Sequence, residues 1–123
     1  PLDAAEAIAA GVDGILVSNH GGRQLDGAAA ALDALPGVAE AVDGRATVLL
    51  DGGIRRGSDV VKALALGADC CLIGRPQLWG LAAGGELGVA HAIEIFRREI
   101  DLVMTLSGLS TVGDISPDIL LRD

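Results

Sequence analysis

Three short apolar segments alternate with longer segments of helical pattern, and this alternation limits the possible folds more than any other sequence feature. The apolar segments lie within residues 14–18, 46–53 and 69–76. Each contains a continuous apolar run rather than an alternation of apolar and polar residues. Such runs are typical of parallel strands that are covered on both faces and joined by helical crossovers. The sequence therefore predicts an α/β fold built on a parallel sheet.

The segments between the predicted strands have helical patterns with recognisable ends. Ser58 is the expected N-cap of one helix, and Gly67 follows its last turn. Pro36 is expected to open a new segment rather than lie inside a helix, and Pro76 to end the third strand. The predicted helical segments are residues 2–11, 29–44, 58–68 and 88–108. The apolar stripe predicted for the last of them comprises Val89, Ile93, Phe96, Ile100 and Val103.

Each predicted strand ends in a glycine-containing polar cluster. The clusters are SNHGG at 18–22, DGGIRRG at 51–57 and GRP at 74–76. Ligands bind at the carboxyl ends of parallel strands both in (β/α)8 barrels and in doubly wound sheets. The clusters therefore predict a ligand site at this edge of the sheet without separating the two architectures.

The second and third clusters favour an anion, and a phosphate group in particular. Gly52 and Gly53 allow the backbone to approach a ligand closely, and the following helix N-terminus favours negative charge. Arg55 and Arg56 add positive charge, and the next cluster supplies another arginine, Arg75. Neither cluster matches a P-loop or a GxGxxG motif. A tight turn with solvated arginines is the alternative interpretation.

The first cluster favours a proton acceptor beside a carboxylate anchor. His20 follows a buried strand and can accept a proton near neutral pH, and the planar guanidinium of Arg23 suits a carboxylate. This pairing favours oxidation or deprotonation at the carbon next to a carboxylate. Asp26 is expected to orient the loop or to pair with an arginine, and His91 to lie on the surface.

The bulk composition excludes several function classes. The formal net charge is −8 with nine Lys and Arg residues, which argues against a nucleic-acid surface. Cys70 and Cys71 are predicted to be reduced core residues in a cytosolic setting, and no metal-ligand spacing is present. No apolar run reaches the roughly 20 residues that cross a bilayer.

Taken together, the motifs SNHGGRQLDG, LLDGGIRRGSDVVKALALGAD and LIGRP resemble those of the FMN-dependent α-hydroxy acid dehydrogenase and oxidase family. The resemblance covers essentially the whole chain. It implies FMN as cofactor and an L-2-hydroxy acid such as lactate or glycolate as substrate. It also implies that His20 is the catalytic base and that Arg23 binds the substrate carboxylate. The residues that it implies for FMN binding are Ser18, Asp51, Gly52, Gly53, Ile54, Arg55, Gly74 and Arg75.

The family is a TIM-barrel family whose barrels take roughly 250 residues. The resemblance therefore implies that residues 1–123 are the C-terminal portion of an FMN hydroxy acid dehydrogenase domain, with about strands 6–8 and the C-terminal helix. The chain begins at Pro1 rather than Met, and we expect it to be part of a longer one. Alone, it is expected to be inactive, to aggregate or dimerise, and to bind FMN weakly.

Two alternative functions stay open at this point. One is a phosphate-binding barrel isomerase or lyase, in which no hydride moves, and the other is a non-catalytic truncated remnant. For the complete protein, the resemblance implies a homo-oligomer that is cytoplasmic or peripheral to the inner membrane. The substrate side chain and the electron acceptor are not predicted.

Overall fold

The computed structural model describes residues 1–121 of the chain. It contains four helices and three strands in the predicted alternating order. Three short 3₁₀ turns lie at His20–Gly22, Val112–Asp114 and Pro117–Ile119. The helices and strands are α1 (Leu2–Ala9), β1 (Gly14–Val17), α2 (Ala31–Val42), β2 (Thr47–Leu50), α3 (Gly57–Ala65), β3 (Cys70–Cys71) and α4 (Arg75–Leu106).

The three strands form one parallel sheet in the order β1-β2-β3, as the sequence predicts. Leu16 pairs with Leu49, and Leu49 pairs with Cys70, so the strands run side by side in register. Because parallel strands end at the same edge of a sheet, the three polar clusters come together there.

One face of the sheet carries the core. Three strand side chains point to this face and are almost fully buried against the helices: Val17, Val48 and Leu50. Leu35 of α2 belongs to the same buried core. Removing a buried leucine of this kind typically costs about 2–5 kcal/mol of folding free energy. These contacts hold the strand ends, and therefore the polar clusters, in fixed positions.

The opposite face of the sheet is open within residues 1–121, so this part of the chain covers only one of the two faces that the continuous apolar runs predict to be covered, as expected for part of a barrel. Leu16 is 48% exposed and Leu72 is 41% exposed. Cys70 is exposed on the same side, because side chains alternate along a strand. The apolar runs are continuous, yet the helices within residues 1–121 cover only one side of them.

Two expected helix boundaries are wrong. Pro36 lies inside α2, where its missing N–H leaves one helical hydrogen bond unmade, and burial of Leu35 and Val38 on either side offsets that loss. Ser58 is not the N-cap of α3, which begins at Gly57. The carboxylate of Asp59 instead accepts hydrogen bonds from the backbone before the helix, as described below.

The last helix begins much earlier than the apolar stripe indicates. It starts at Arg75, with Pro76 in the first turn, so that Pro76 opens a helix rather than ending a strand. Gly84 and Gly85 have non-helical backbone angles and divide α4 into two segments. This break explains why the sequence pattern indicates only the second segment.

The predicted stripe of α4 is buried unevenly. Phe96 is buried, whereas Ile93 is 54% exposed; Val89, Ile100 and Val103 are half-buried. His91 is exposed, as predicted. No helix within residues 1–121 has the length and apolar character to cross a membrane.

Both cysteines are free, as predicted, but they occupy different environments. Cys70 is exposed on the open face, so its prediction as a core residue is wrong. Cys71 points toward the helices, where burial, with a smaller contribution from the neighbouring Cys70, raises the pKa of its thiol to about 11. Successive strand residues face opposite sides, which separates the two thiols.

Candidate active site

A cavity of about 680 Å³ lies at the carboxyl ends of the three strands. It brings together nine of the ten residues that the sequence analysis assigns to the site. These are His20, Arg23, Asp51, Gly52, Gly53, Ile54, Arg55, Gly74 and Arg75. The cavity therefore joins the proton-acceptor cluster to the two clusters predicted to bind phosphate.

Ser18 is the one predicted site residue that does not line this cavity. Its hydroxyl oxygen accepts a hydrogen bond from the backbone N–H of His20 at 3.2 Å. In residues 1–121 it therefore supports the start of the His20 loop, and its expected flavin contact stays a prediction.

Five further residues line the cavity without having been predicted. They are Gly21, Gln24, Leu72, Ile73 and Pro76. Gly21 and Gln24 lie in the motif SNHGGRQLDG beside His20 and Arg23, and this position could have predicted that they line the site. Leu72 and Ile73 read as strand residues, and only the early end of β3 at Cys71 places them at the mouth of the site.

His20 lies in an unusual backbone conformation. Its φ angle is 53°, and Gly21 and Gly22 follow with φ angles of 67° and 74°. A left-handed conformation at a residue with a Cβ atom costs on the order of 1–3 kcal/mol and is frequent at functional sites. Asp26, farther along this loop, accepts a hydrogen bond from Gly27 N–H at 3.1 Å and makes no ion pair with an arginine within residues 1–121.

The turn after β2 depends on its two glycines. Gly52 and Gly53 have φ angles of 88° and 81°, which residues with a Cβ atom rarely adopt. The turn therefore presents bare backbone to the cavity, as the sequence predicts.

The N-terminus of α3 is already occupied by carboxylates. The side chain of Asp59 accepts hydrogen bonds from the N–H groups of Arg55 and Arg56 at 2.9 and 3.0 Å. Glu99 of α4 accepts from Gly57 N–H at 2.7 Å and lies 3.6 Å from the Arg56 guanidinium. The expectation that this helix N-terminus and Arg56 serve a ligand anion is therefore wrong.

The N-terminus of α4 is free to serve an anion instead. Gly74 is its N-cap, no side chain among residues 1–121 caps it, and the first turn holds no acidic residue. Gly74, Arg75 and Pro76 all line the cavity. Uncapped N–H groups at a helix start carry partial positive charge and bind anions.

The cavity is electropositive although the chain is acidic. Arg23, Arg55 and Arg75 line it, and none of them pairs with a carboxylate among the residues that the structure describes. Asp51 is the single carboxylate in the described lining. Three unpaired guanidinium groups around one cavity favour an anionic ligand with more than one charged group.

Asp51 carries an unused hydrogen-bond acceptor. Its Oδ1 atom is buried, and within residues 1–121 it has no hydrogen-bond partner. Buried polar atoms are nearly always satisfied, and an exception indicates a missing partner. A carboxylate oxygen calls for a donor, such as the hydroxyl group of a ligand in the cavity.

Residues 1–122 match the family model described as FMN-dependent dehydrogenase. The chain is 58% identical over 118 residues to L-lactate oxidase of Nostoc sp., which covers 96% of the chain and 32% of that protein. It is 54% identical over 121 residues to 2-hydroxyacid oxidase 1 of Mus musculus, which covers 98% of the chain and 33% of that protein. The chain thus spans about a third of the length of these curated relatives.

Solved structures show the same likeness. A mandelate oxidase mutant with a monooxide FMN adduct superposes with a TM-score of 0.88 at 51% identity, covering 91% of this chain and 36% of that one. These relatives are of the TIM-barrel family, so the predicted α/β fold is confirmed and the chain corresponds to part of such a barrel.

Proposed function

The chain belongs to the FMN-dependent dehydrogenase family, and we propose that in the complete enzyme it supplies the base, the substrate anchor and the FMN phosphate site. The reaction proposed is oxidation of an L-2-hydroxy acid to the corresponding 2-oxo acid. Both the family and its FMN cofactor are predicted from the sequence, and the comparisons confirm them. The observation that carries the proposal is the single cavity that joins His20 and Arg23 to the two Gly/Arg turns.

The described residues fit FMN. Its phosphate would bind at the start of α4, with Gly74, Arg75 and the backbone turn of Gly52 and Gly53 around it. The buried, unpartnered Oδ1 of Asp51 suits a hydroxyl group of the ribityl chain. Arg55 and Ile54 complete this side of the cavity. When bound, FMN accepts the two electrons that the substrate loses.

His20 is the proposed proton acceptor. In one route its imidazole takes the proton of the α-carbon, the electron pair passes to FMN and the hydroxyl proton is released as the carbonyl group forms; in the other it takes the hydroxyl proton and the α-hydrogen leaves with the electron pair as a hydride to FMN. His20 has a left-handed backbone conformation at the start of the 3₁₀ turn His20–Gly22.

Arg23 is the proposed anchor for the substrate carboxylate. It lies three residues after His20 and lines the same cavity without an ion-pair partner in residues 1–121. A guanidinium binds a carboxylate through two parallel hydrogen bonds, which orients the substrate as well as holding it. The carbon that is oxidised is thereby kept next to the imidazole.

We also propose that the three strands are strands six, seven and eight of the barrel and that the chain is its C-terminal portion. Phosphate sites of TIM barrels are frequently built from the loops after strands seven and eight and from a short extra helix. Here the Gly/Arg turns follow β2 and β3, and the first segment of α4 begins at the second of them. This correspondence supports the assignment.

Anaerobic reduction of the complete enzyme tests the proposed reaction. L-Lactate, glycolate and L-mandelate would be added in turn while the flavin absorbance is followed. At least one of them is expected to bleach the flavin bands, with formation of the matching 2-oxo acid. Absence of bleaching with all 2-hydroxy acids would contradict the proposal and favour the isomerase, lyase or remnant alternatives.

Location and assembly stay predictions. A cytoplasmic or peripheral inner-membrane location would be tested by fractionation with an antibody against the complete protein. Assembly of the complete enzyme into a homo-oligomer would be tested by light scattering after size-exclusion chromatography.

A further inference from the structure

We propose that Asn19 is a positioning residue that holds the His20 loop in its reactive conformation, a role that rests on the proposed function of His20. Asn19 does not line the 680 Å³ cavity, so it acts through its neighbours rather than on the substrate. Its two amide atoms make two different contacts, and each contact has a separate effect on the loop.

The first contact fixes the turn at His20. Asn19 Oδ1 accepts a hydrogen bond from the N–H of Gly21 at 2.9 Å, directly across His20. The carbonyl oxygen of Asn19 accepts from Gly22 N–H at 3.0 Å. Because His20 has an unfavourable positive φ angle, local hydrogen bonds of this kind are needed to keep it there.

The second contact closes the whole loop. Asn19 Nδ2 donates to the carbonyl oxygen of Ala29 at 3.1 Å, and the two residues are ten positions apart. Every other hydrogen bond described for residues 20–28 joins residues at most three positions apart. Within the described chain, the Asn19 amide is therefore the side chain that ties the two ends of the exposed loop together.

Asn19 also lies beside the turn after β2. A Cβ atom placed on Gly52 would lie 3.7 Å from Asn19 Oδ1, which is ordinary contact distance. Asn19 and Gly52 line a smaller cavity of about 390 Å³, and Gly52 lines the main cavity too. Asn19 thus sits where the loop of the base meets the turn proposed to hold the phosphate.

The test uses the complete FMN-containing enzyme and two variants at one position. Asn19→Leu is close in size and removes both contacts, whereas Asn19→Asp keeps an oxygen that can accept from Gly21 N–H and loses the donor to Ala29. We expect kcat of Asn19→Leu to fall by roughly 10-fold to 100-fold at unchanged FMN content, because small displacements of catalytic groups have effects of that size. Asn19→Asp is expected to retain an intermediate kcat, each variant being measured at its own pH optimum.

Hydrogen exchange supplies a readout that does not depend on turnover. Amides of residues 20–28 are expected to exchange faster in Asn19→Leu than in the wild type, and the rest of the enzyme to be unaffected. The matched control is Asp114→Ala, which removes a similar pair of side-chain contacts, to Ser110 N–H and Thr111 N–H, outside the cavity lining. It should leave kcat and exchange of residues 20–28 unchanged.

The outcomes separate this inference from the proposed function. If His20→Ala is inactive while Asn19→Leu keeps kcat within about twofold of wild type, the role of Asn19 is overturned and that of His20 stands. An Asn19→Leu enzyme whose activity falls only in proportion to its FMN content, with kcat per bound FMN unchanged, also overturns it. If Asn19→Leu cannot be obtained as holoenzyme, Asn19→Asp provides the test. Wild-type kcat together with wild-type hydrogen exchange of residues 20–28 in Asn19→Asp would overturn the role of the Ala29 contact. An active His20→Ala enzyme overturns both proposals.

Discussion

At the level of single residues, the site is distinguished by arginine side chains that have no carboxylate partner within residues 1–121. Arg23, Arg55 and Arg75 line the cavity without carboxylate partners in residues 1–121, whereas Arg56 is held by Glu99 and lies outside the lining. Two consecutive arginines of one motif, Arg55 and Arg56, therefore have different surroundings. The sequence alone gives both the same expectation, because it does not show which helix packs beside the turn.

Arg23→Lys tests the anchor. An ammonium group keeps the positive charge but cannot reproduce two parallel hydrogen bonds to a carboxylate. We expect kcat/KM for the 2-hydroxy acid to fall by at least about tenfold, in line with the loss of one charge-assisted hydrogen bond of roughly 1.5–3 kcal/mol. Steady-state kinetics of the complete enzyme measure this, and kinetics equal to wild type would argue against the anchor role.

Arg75→Ala tests the phosphate site separately from the chemistry. Removal of this guanidinium from the start of α4 should weaken FMN binding, whereas turnover per bound FMN should change much less. The measurement is FMN content after gel filtration together with a fluorescence titration of the apoenzyme. Arg56→Ala is the matched control, since Arg56 does not line the cavity. Normal flavin affinity in Arg75→Ala would contradict the phosphate assignment.

At the scale of elements, the strands were predictable and some helix boundaries were not. The order, the parallel direction and the clustering of the strand ends follow from the apolar runs and the residues after them. The start of α4 at Arg75 was hidden, since residues 75–83 are followed by the break at Gly84 and Gly85. Pro36 inside α2 shows tertiary packing overriding a local preference.

The break in α4 brings its two segments into close contact at two glycines. A Cβ atom on Gly80 would lie 2.5 Å from the carbonyl oxygen of Gly88. This contact sets the direction of the first segment, whose start lines the cavity, and neither glycine was singled out from the sequence. The need for residues without a side chain at this crossing could not be predicted, because the sequence does not show where the two segments cross.

Gly80→Ala should force the two segments of α4 apart. We expect a lower thermal unfolding midpoint and weaker FMN binding in the complete enzyme, because the end of α4 that we propose to bind the phosphate is displaced. Gly84→Ala is the matched control, since a Cβ atom there meets no atom within 4 Å. Calorimetry and flavin titration of both variants measure the effect; equal behaviour of the two would show that the contact has no such role.

At the scale of the whole molecule, one face of the sheet is left uncovered within residues 1–121. In this part of the chain the sheet has helices on one face only, with Leu16 and Leu72 exposed on the other, and both β1 and β3 are edge strands. Continuous apolar runs predict two covered faces, and we expect the second cover to come from the part of the complete protein that this chain, about a third of the length of its relatives, does not include. The apolar pattern of a strand indicates that its side chains are buried, but it does not show which part of the protein covers them.

Expression of residues 1–123 alone tests this directly. An uncovered apolar sheet face and two open edges favour association. We expect aggregated or dimeric material that binds FMN far more weakly than the complete enzyme, as judged by light scattering and flavin titration. A soluble monomer with one FMN per chain would contradict this account of the open face.

The central claim is that His20 takes the proton when a 2-hydroxy acid is oxidised at this site. The most direct measurement is anaerobic stopped-flow reduction of the complete enzyme, wild type against His20→Ala, with the substrate that bleaches the wild type. We expect His20→Ala to bind FMN normally and to be reduced at least about 100-fold more slowly, because it lacks the general base. Reduction of His20→Ala at the wild-type rate would contradict it.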